Sequence, residues 1–331
     1  MKYTDTIYGE FDIDEPVIIE ILNSNFFQRL KDISQGGYGF ENLFKSHKIY
    51  QANRFEHSVG CYFLVKKFGA RLEEKVAALI HDISHTVFSH CIDYALSDFP
   101  ERQDFQDNEF SKYVMKTDLP LIFIKYGLDL NYILDEKNFK LQESDLPDLC
   151  ADRIEYSLRH FVQYSGFSLD RINYFLDNLT VFDEKFVFKN KESALDFANS
   201  FMDLNRIYFS NKETAAMFFT NSNYIKYALE KEYIEYDDLF LTESFVIDKI
   251  NKNLGLDSIL EDLWLQMNSD MSKFVFDDND FERKIVCKSR VVDPLFIDGD
   301  YLKRVSTVDE NYKIKAIEEN KPKEYYVKYK R

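Results

Sequence analysis

Cysteine, proline and glycine are all scarce in this chain, at 4, 6 and 10 of 331 residues. The four cysteines, Cys61, Cys91, Cys150 and Cys287, lie far apart and form no CxxC pair. They predict reduced thiols in a cytoplasmic protein and argue against a disulfide framework or a cysteine zinc site. Little proline and glycine, beside 22 Tyr and 31 Phe, excludes a chain that is disordered throughout. Long apolar runs are missing too. Stretches such as Leu121-Ile122-Phe123-Ile124 fall far short of the ~18 to 20 residues a bilayer span needs, so no membrane association is expected. Positive charge is the remaining shortage: 42 Lys and Arg stand against 58 Asp and Glu, a net charge of −16. General binding along nucleic acid, which needs many phosphate-neutralising cations on one face, is therefore not expected. A small anionic substrate stays compatible if a local cluster of Arg and Lys opposes the global field. The first residues, Met1-Lys2-Tyr3-Thr4-Asp5, have no apolar stretch of the kind a signal peptide carries.

What is present is mainly helical pattern. Val17, Ile18, Ile21, Leu22, Phe26 and Leu30 recur at helical spacing from Pro16, until Gln35-Gly36-Gly37-Tyr38-Gly39 breaks the run. Further helices are predicted over 56–68, 72–83 and from Thr86 through Leu96, then over 109–117, 142–164, 168–178, 192–204, 211–231 and 242–253. Residues 1–15 read as an arm or short strand, and Val181-Phe182 with Phe186-Val187-Phe188 as a small hairpin. The last sixty or so residues change character: 284–292, 301–308 and 325–330 alternate Val, Ile and Tyr with Lys and Arg, as half-buried strands do.

The six histidines are the informative oddity. All lie between His47 and His160, and four fall between His57 and His90. A single histidine on an apolar face is ordinarily a hydrogen-bonded core residue; four together with acids on predicted helices point to ligands. His81 and His85 are one turn apart, and Asp82 is rotated by about 100° from His81. Two imidazoles with carboxylate oxygen suit a divalent ion such as Zn, Mn, Fe, Co or Mg. Asp152 offers a further carboxylate, on a helix where it shares a stripe with Tyr156 and Arg159.

Four segments occur in order: QRLKDISQGG at 28–37, NRFEHSVG at 53–60, HDISHTVFSH at 81–90 and DRIEY at 152–156. Their arrangement resembles the HD-domain superfamily of metal-dependent phosphohydrolases, in particular the branch of the deoxynucleoside triphosphate triphosphohydrolases. The resemblance runs over about residues 16–165 and more weakly to about 215. It implies a mainly α HD-domain bundle over 1–225, with 226–331 as a small α+β subdomain packed on it. One divalent metal ion would be held by His57, His81, Asp82 and Asp152. Arg54 and Arg153, with Lys48 in support, would contact phosphate; Gln35, Tyr156 and Tyr208 would face the sugar or base. His85 would be a catalytic or phosphate-contacting histidine and His90 would sit at the rim of the site.

The chain departs from the family pattern at three places. Where relatives carry a His-Glu pair, it reads Phe105-Gln106-Asp107-Asn108-Glu109, which makes Asp107 the candidate proton carrier. His160 replaces an acid that meets the sugar hydroxyl, and Gly36 replaces a bulky residue that screens the sugar's 2′ position. The expected activity is metal-dependent hydrolysis of a small phosphate ester, foremost a nucleotide. The alternatives are a non-catalytic nucleotide sensor or scaffold, and a phosphodiesterase or nuclease of the same superfamily. The aromatic content leaves homo-oligomerisation open.

Overall fold

The computed structural model describes residues 1–44 and 52–331; His47 and Lys48 lie outside the described residues. The fold is mainly helical, with three small sheets. Its centre is the Arg54–Lys67 helix, packed against Leu72–Ile80 on one side and Ala151–Tyr164 on another. Asn53 caps the first of these by accepting the Glu56 amide at 2.9 Å, with Glu56 in the first turn and Lys66 and Lys67 in the last. Polar residues of this helix are buried along with apolar ones, among them Arg54, His57 and Ser58. It therefore shows little amphipathic periodicity, because ten of its fourteen residues are buried and only Lys67 is exposed.

Several predicted helices end or begin elsewhere, and two of these departures shape the cleft. The 72–83 helix stops at Ile80, and a turn carries His81 and Asp82. The helix expected from Thr86 begins only at Cys91. Tertiary hydrogen bonds hold the intervening loop instead: Val87 N to Leu239 O at 2.9 Å, Phe88 N to Glu243 Oε1 at 3.0 Å, and Arg54 Nε to Ser89 Oγ at 3.1 Å. Phe88 and Ser89 adopt positive φ (62° and 46°) to make them. The predicted 142–164 helix starts at Ala151, because Pro147 disfavours helical geometry in the residue before it. The long N-terminal helix is split at Ser24 into Pro16–Asn23 and Asn25–Gln28.

The N-terminal arm is an antiparallel hairpin, Lys2–Asp5 with Gly9–Asp12. The hairpin Leu179–Phe182/Lys185–Phe188 forms as expected and is extended in parallel by Leu295–Asp298, through Val187↔Leu295 and Phe188↔Phe296. A second sheet orders Phe274–Phe276, Lys323–Tyr329 and Arg283–Cys287, all antiparallel. The expected boundary at 225/226 falls inside the Lys212–Glu230 helix, and strand pairing joins the two parts. The chain leaving Arg283–Cys287 reaches the cleft described next.

Candidate metal centre and active-site cleft

Three segments bring His57, His81, Asp82 and Asp152 together: the Arg54–Lys67 helix, the turn after Ile80, and the first turn of Ala151–Tyr164. His57 Nε2 lies 2.9 Å from Asp152 Oδ1 and 3.6 Å from Asp82 Oδ2. His81 Nε2 lies 3.5 Å from Asp152 Oδ1 and 3.6 Å from Asp82 Oδ1. The two Nε2 atoms face each other at 3.1 Å.

The outer nitrogens of both rings are already committed. His57 Nδ1 donates to Glu155 Oε2 at 2.5 Å, and His81 Nδ1 donates to the Ala78 carbonyl at 2.9 Å. In the neutral rings both Nε2 lone pairs therefore point at each other and at two carboxylates. That arrangement is repulsive unless positive charge sits among them. Burial opposes protonating either ring, yet the acids around them (Cys61, Glu155 and Asp152 for His57; Asp82 and Asp152 for His81) outweigh it and raise both above the ordinary imidazole value. Asp82 and Asp152 are held below the usual carboxylate range despite burial, Asp82 by Arg54 first and Asp152 by hydrogen bonds to the two histidines. Two imidazole nitrogens, their tautomers fixed by the bonds to Glu155 and the Ala78 carbonyl, and two carboxylates fit a divalent cation.

Cys61 also comes near, and donor atoms of His57, Cys61, His81 and Asp152 lie within 4.8 Å of one another. Its sulfur sits 3.9 and 3.8 Å from the two His57 nitrogens, flanking the ring, and burial pushes its thiol pKa up. Cys61 thus offers a protonated thiol to this space, whereas Asp82 offers an ionised carboxylate. Glu155 is the residue that motif spacing missed. It lies fully buried between His57 and Arg159, and Arg159 in turn bonds Asp5 at 2.8 Å. Arg159 thus leaves the stripe expected to unite it with Asp152 and Tyr156: its long side chain folds back toward Glu155, one turn away. The signal was Gly60, one turn after His57. A Cβ there would lie 2.6 Å from the Glu155 carboxyl carbon, so only glycine admits the carboxylate.

The centre opens into a cleft of about 640 Å³. Arg54 lines it and donates to Asp82 Oδ2 at 2.7 Å. Buried His85 places Nε2 3.4 Å from Asp82 Oδ1, its Nδ1 has no partner among the described residues, and burial followed by Arg54 keeps it neutral. His90 stands at the rim, with its ring 5.2 Å from that of His85. Gln106 is occupied with Ser84 and with the His81 carbonyl (3.3 Å), while Asp107, solvent-exposed at the edge of the cleft, has its pKa raised to about 6 by partial desolvation within the cleft and by the carboxylates of Glu136, Asp82 and Asp152. Arg153 lines the cleft too, but its terminal nitrogens bond the Ser144 and Asp148 carbonyls and Glu143, leaving Nε without a partner among the described residues.

A smaller chamber of about 80 Å³ continues inward past Gln35 and Tyr156 to His160, Tyr208 and Phe209. Tyr208 stacks on Tyr164 at 4.2 Å, and its hydroxyl occupies the space a Cβ on Gly36 would need. The room freed by Gly36 is thus filled from the opposite wall. Arg206 turns away to Glu319 at 2.8 Å. Lys288 and Arg290 also line the cleft, and no motif pointed to them.

This fold and donor set define a protein of the HD-domain class, and the family model described as HD domain matches residues 54–147. The chain is 31% identical to the uncharacterised protein YdhJ of Bacillus subtilis over 309 residues, 92% of this chain and 91% of that one. It is 38% identical over 205 residues to the metal-dependent phosphohydrolase cns2 of Cordyceps militaris, covering 62% of this chain and 57% of that protein. A solved structure of a hypothetical protein from Aquifex aeolicus superposes with a TM-score of 0.66 at 19% identity, covering 99% and 95% of the two chains. The chain belongs to the HD-domain family of metal-dependent phosphohydrolases.

Proposed function

We propose that the protein hydrolyses a nucleotide or closely similar phosphate ester, with His57, His81, Asp82 and Asp152 holding one divalent cation at the floor of the cleft. The observation that carries this reading is the facing pair of imidazole lone pairs beside two carboxylates, at the junction of a polar cleft and an aromatic chamber. A divalent cation bound there supplies Lewis-acid polarisation of a phosphoryl oxygen and makes hydroxide accessible near neutral pH. Arg54 offers a guanidinium to the non-bridging oxygens as charge builds on them. His85, buried and neutral with Nε2 turned toward Asp82, accepts or orients the proton of the attacking water. Asp107, protonated in part near pH 6, returns a proton to the leaving oxygen. Tyr156 and Tyr208 present rings to the organic part of the substrate, and the motifs that resemble the triphosphohydrolases favour a nucleoside there.

The test is metal analysis of the purified protein, with release of phosphate or polyphosphate measured across nucleotides and phosphomonoesters in Mn²⁺, Co²⁺, Zn²⁺ or Mg²⁺. Turnover of nucleotides above simple monoesters is expected. Nucleotide binding without product under every metal would refute hydrolysis and establish the sensor.

A further inference from the structure

Three of the cations lining the cleft pair with no acid within 4.0 Å among the described residues: exposed Lys137 and the neighbouring, half-buried Lys288 and Arg290. Arg54 is matched by Asp82 at 2.7 Å and Arg153 by Glu143 at 3.3 Å. Lys288 and Arg290 have no carboxylate within 4.0 Å among the described residues, in a chain with 58 acids to 42 bases. Lys288 Nζ donates to the Arg102 carbonyl at 2.9 Å. Arg290 Nη2 donates to Gln103 Oε1, and its guanidinium lies 5.2 Å from the Phe209 ring centre. Both are only half-buried, so they reach the cleft while their backbone is held from behind.

That hold is rigid. Arg290 N donates to Asn205 Oδ1 at 2.9 Å, and Asn205 Nδ2 donates to Ser289 Oγ at 2.8 Å and Glu319 Oε1 at 3.0 Å. Asn205 is completely buried and opens the π-helical turn Asn205–Phe209, which carries Tyr208 and Phe209 into the inner chamber. Such turns are frequent at functional sites. One amide thus fixes both the cationic segment and the aromatic wall. Burial and the adjacent Arg290 work against the charge on Lys288 and outweigh the more distant carboxylates of Asp107 and Asp93; an anion between the two cations would relieve their repulsion. Arg153 Nε and Gln35 Oε1 are also buried in this wall without partners among the described residues.

We propose that Lys288 and Arg290, with Arg153 Nε, bind a second anionic group of the substrate, distinct from the phosphate that reacts beside Arg54. The substrate class is then an ester bearing at least two phosphates, and these residues set the preference for it over a monophosphate. The inference rests on the hydrolase reading and refines it.

Tripolyphosphate and orthophosphate are the probes, titrated calorimetrically into the full chain, both chelated and Mn²⁺-loaded. Wild type should prefer tripolyphosphate. Lys288→Gln and Arg290→Gln should each weaken it by about tenfold, leave orthophosphate within about twofold, and melt like wild type. Arg290→Lys should recover part of the loss. If Arg290→Gln fails to fold, Lys288→Gln, whose ammonium bonds one exposed carbonyl, decides alone. Equal affinity of wild type for the two probes, or unchanged tripolyphosphate binding in well-folded variants, overturns the proposal. Turnover of monoesters together with such a result leaves the hydrolase standing and removes only the second anion site. Loss of tripolyphosphate binding in the variants of a protein with no turnover supports the site and removes the hydrolase.

Discussion

Replacing Glu155 with glutamine tests the metal centre without touching a proposed ligand. The two Glu155 oxygens each accept one buried donor, Oε2 from His57 Nδ1 and Oε1 from Arg159 Nε. A glutamine of the same shape offers one acceptor oxygen and one NH₂, so one of the two donors must face another donor. The charged guanidinium claims the oxygen, because hydrogen bonds to ions are the stronger ones. His57 is left to flip its tautomer and move its proton to Nε2, the atom that points at the cation position. A metal must then displace a proton or a misplaced ring, and loss of such an outer partner costs about 10- to 100-fold in affinity. Where the amide instead turns its oxygen to His57, the buried Arg159 Nε–H goes unsatisfied at about 1–3 kcal/mol. Chelator competition with metal quantified on the protein, beside thermal melts of the apo and loaded forms, reads both branches. Gly60→Ala should reproduce the affinity loss sterically, since its Cβ would lie 2.6 Å from the Glu155 carboxyl carbon. Wild-type metal affinity and stability together in Glu155→Gln would refute the tautomer argument.

Further predictions concern ligands and pH. His81→Ala and Asp152→Ala should each abolish metal retention and turnover, measured by elemental analysis and phosphate release; a metal-replete, active Asp152→Ala would remove that residue from the donor set. Asp107, though exposed, has its pKa raised to about 6 by partial desolvation in the cleft and by neighbouring carboxylates, so as a proton donor it should make kcat fall as pH rises through that value. Asp107→Asn should lose this limb with KM little changed, in a pH–rate profile. Glu15 is lowered to about 2: burial raises its pKa, but hydrogen bonds from Lys75 and Tyr62 more than compensate. Its stabilising contribution is therefore present above the unfolded value near 4.5 and fades as pH falls toward 2. Melting temperatures of wild type and Glu15→Gln should accordingly differ at pH 6 and converge in acid.

The centre was legible because HD and its companion motifs specify residues whose chemistry has few other uses so close together. The motifs named His57, His81, Asp82 and Asp152, which the fold brings together, and helix positions followed wherever apolar spacing was governed by a single buried face, as at 192–204. Legibility failed where tertiary contacts overrode local pattern. Thr86 to His90 looks helical until Glu243, Ser34 and Leu239 take its backbone and side-chain hydrogen bonds. The Glu155–Arg159 pair gave no signal of its own, because a buried ion network has the same composition as an exposed one. Lys288 and Arg290 were unreadable for another reason: their segment alternates like a strand, and no sequence pattern says that its end meets a cleft built more than a hundred residues earlier.

The buried polar column from Asp5 through Arg159 and Glu155 to His57 also links folding to the cation. Removing charged groups from water is costly, and within this column each charge is met by an opposite one except at its inner end. There, the lone pairs of His57 and His81 converge with Asp82 and Asp152, and in the metal-free protein only protons on the rings can relieve the repulsion. A divalent cation replaces those protons, so binding should release protons at neutral pH and raise the melting temperature as metal concentration passes its dissociation constant. The N-terminal hairpin belongs to the same linkage, because Asp5 anchors the far end of the column. The packing that orders the chain's first strand thus bears, through three side chains, on the nitrogen that would hold the metal.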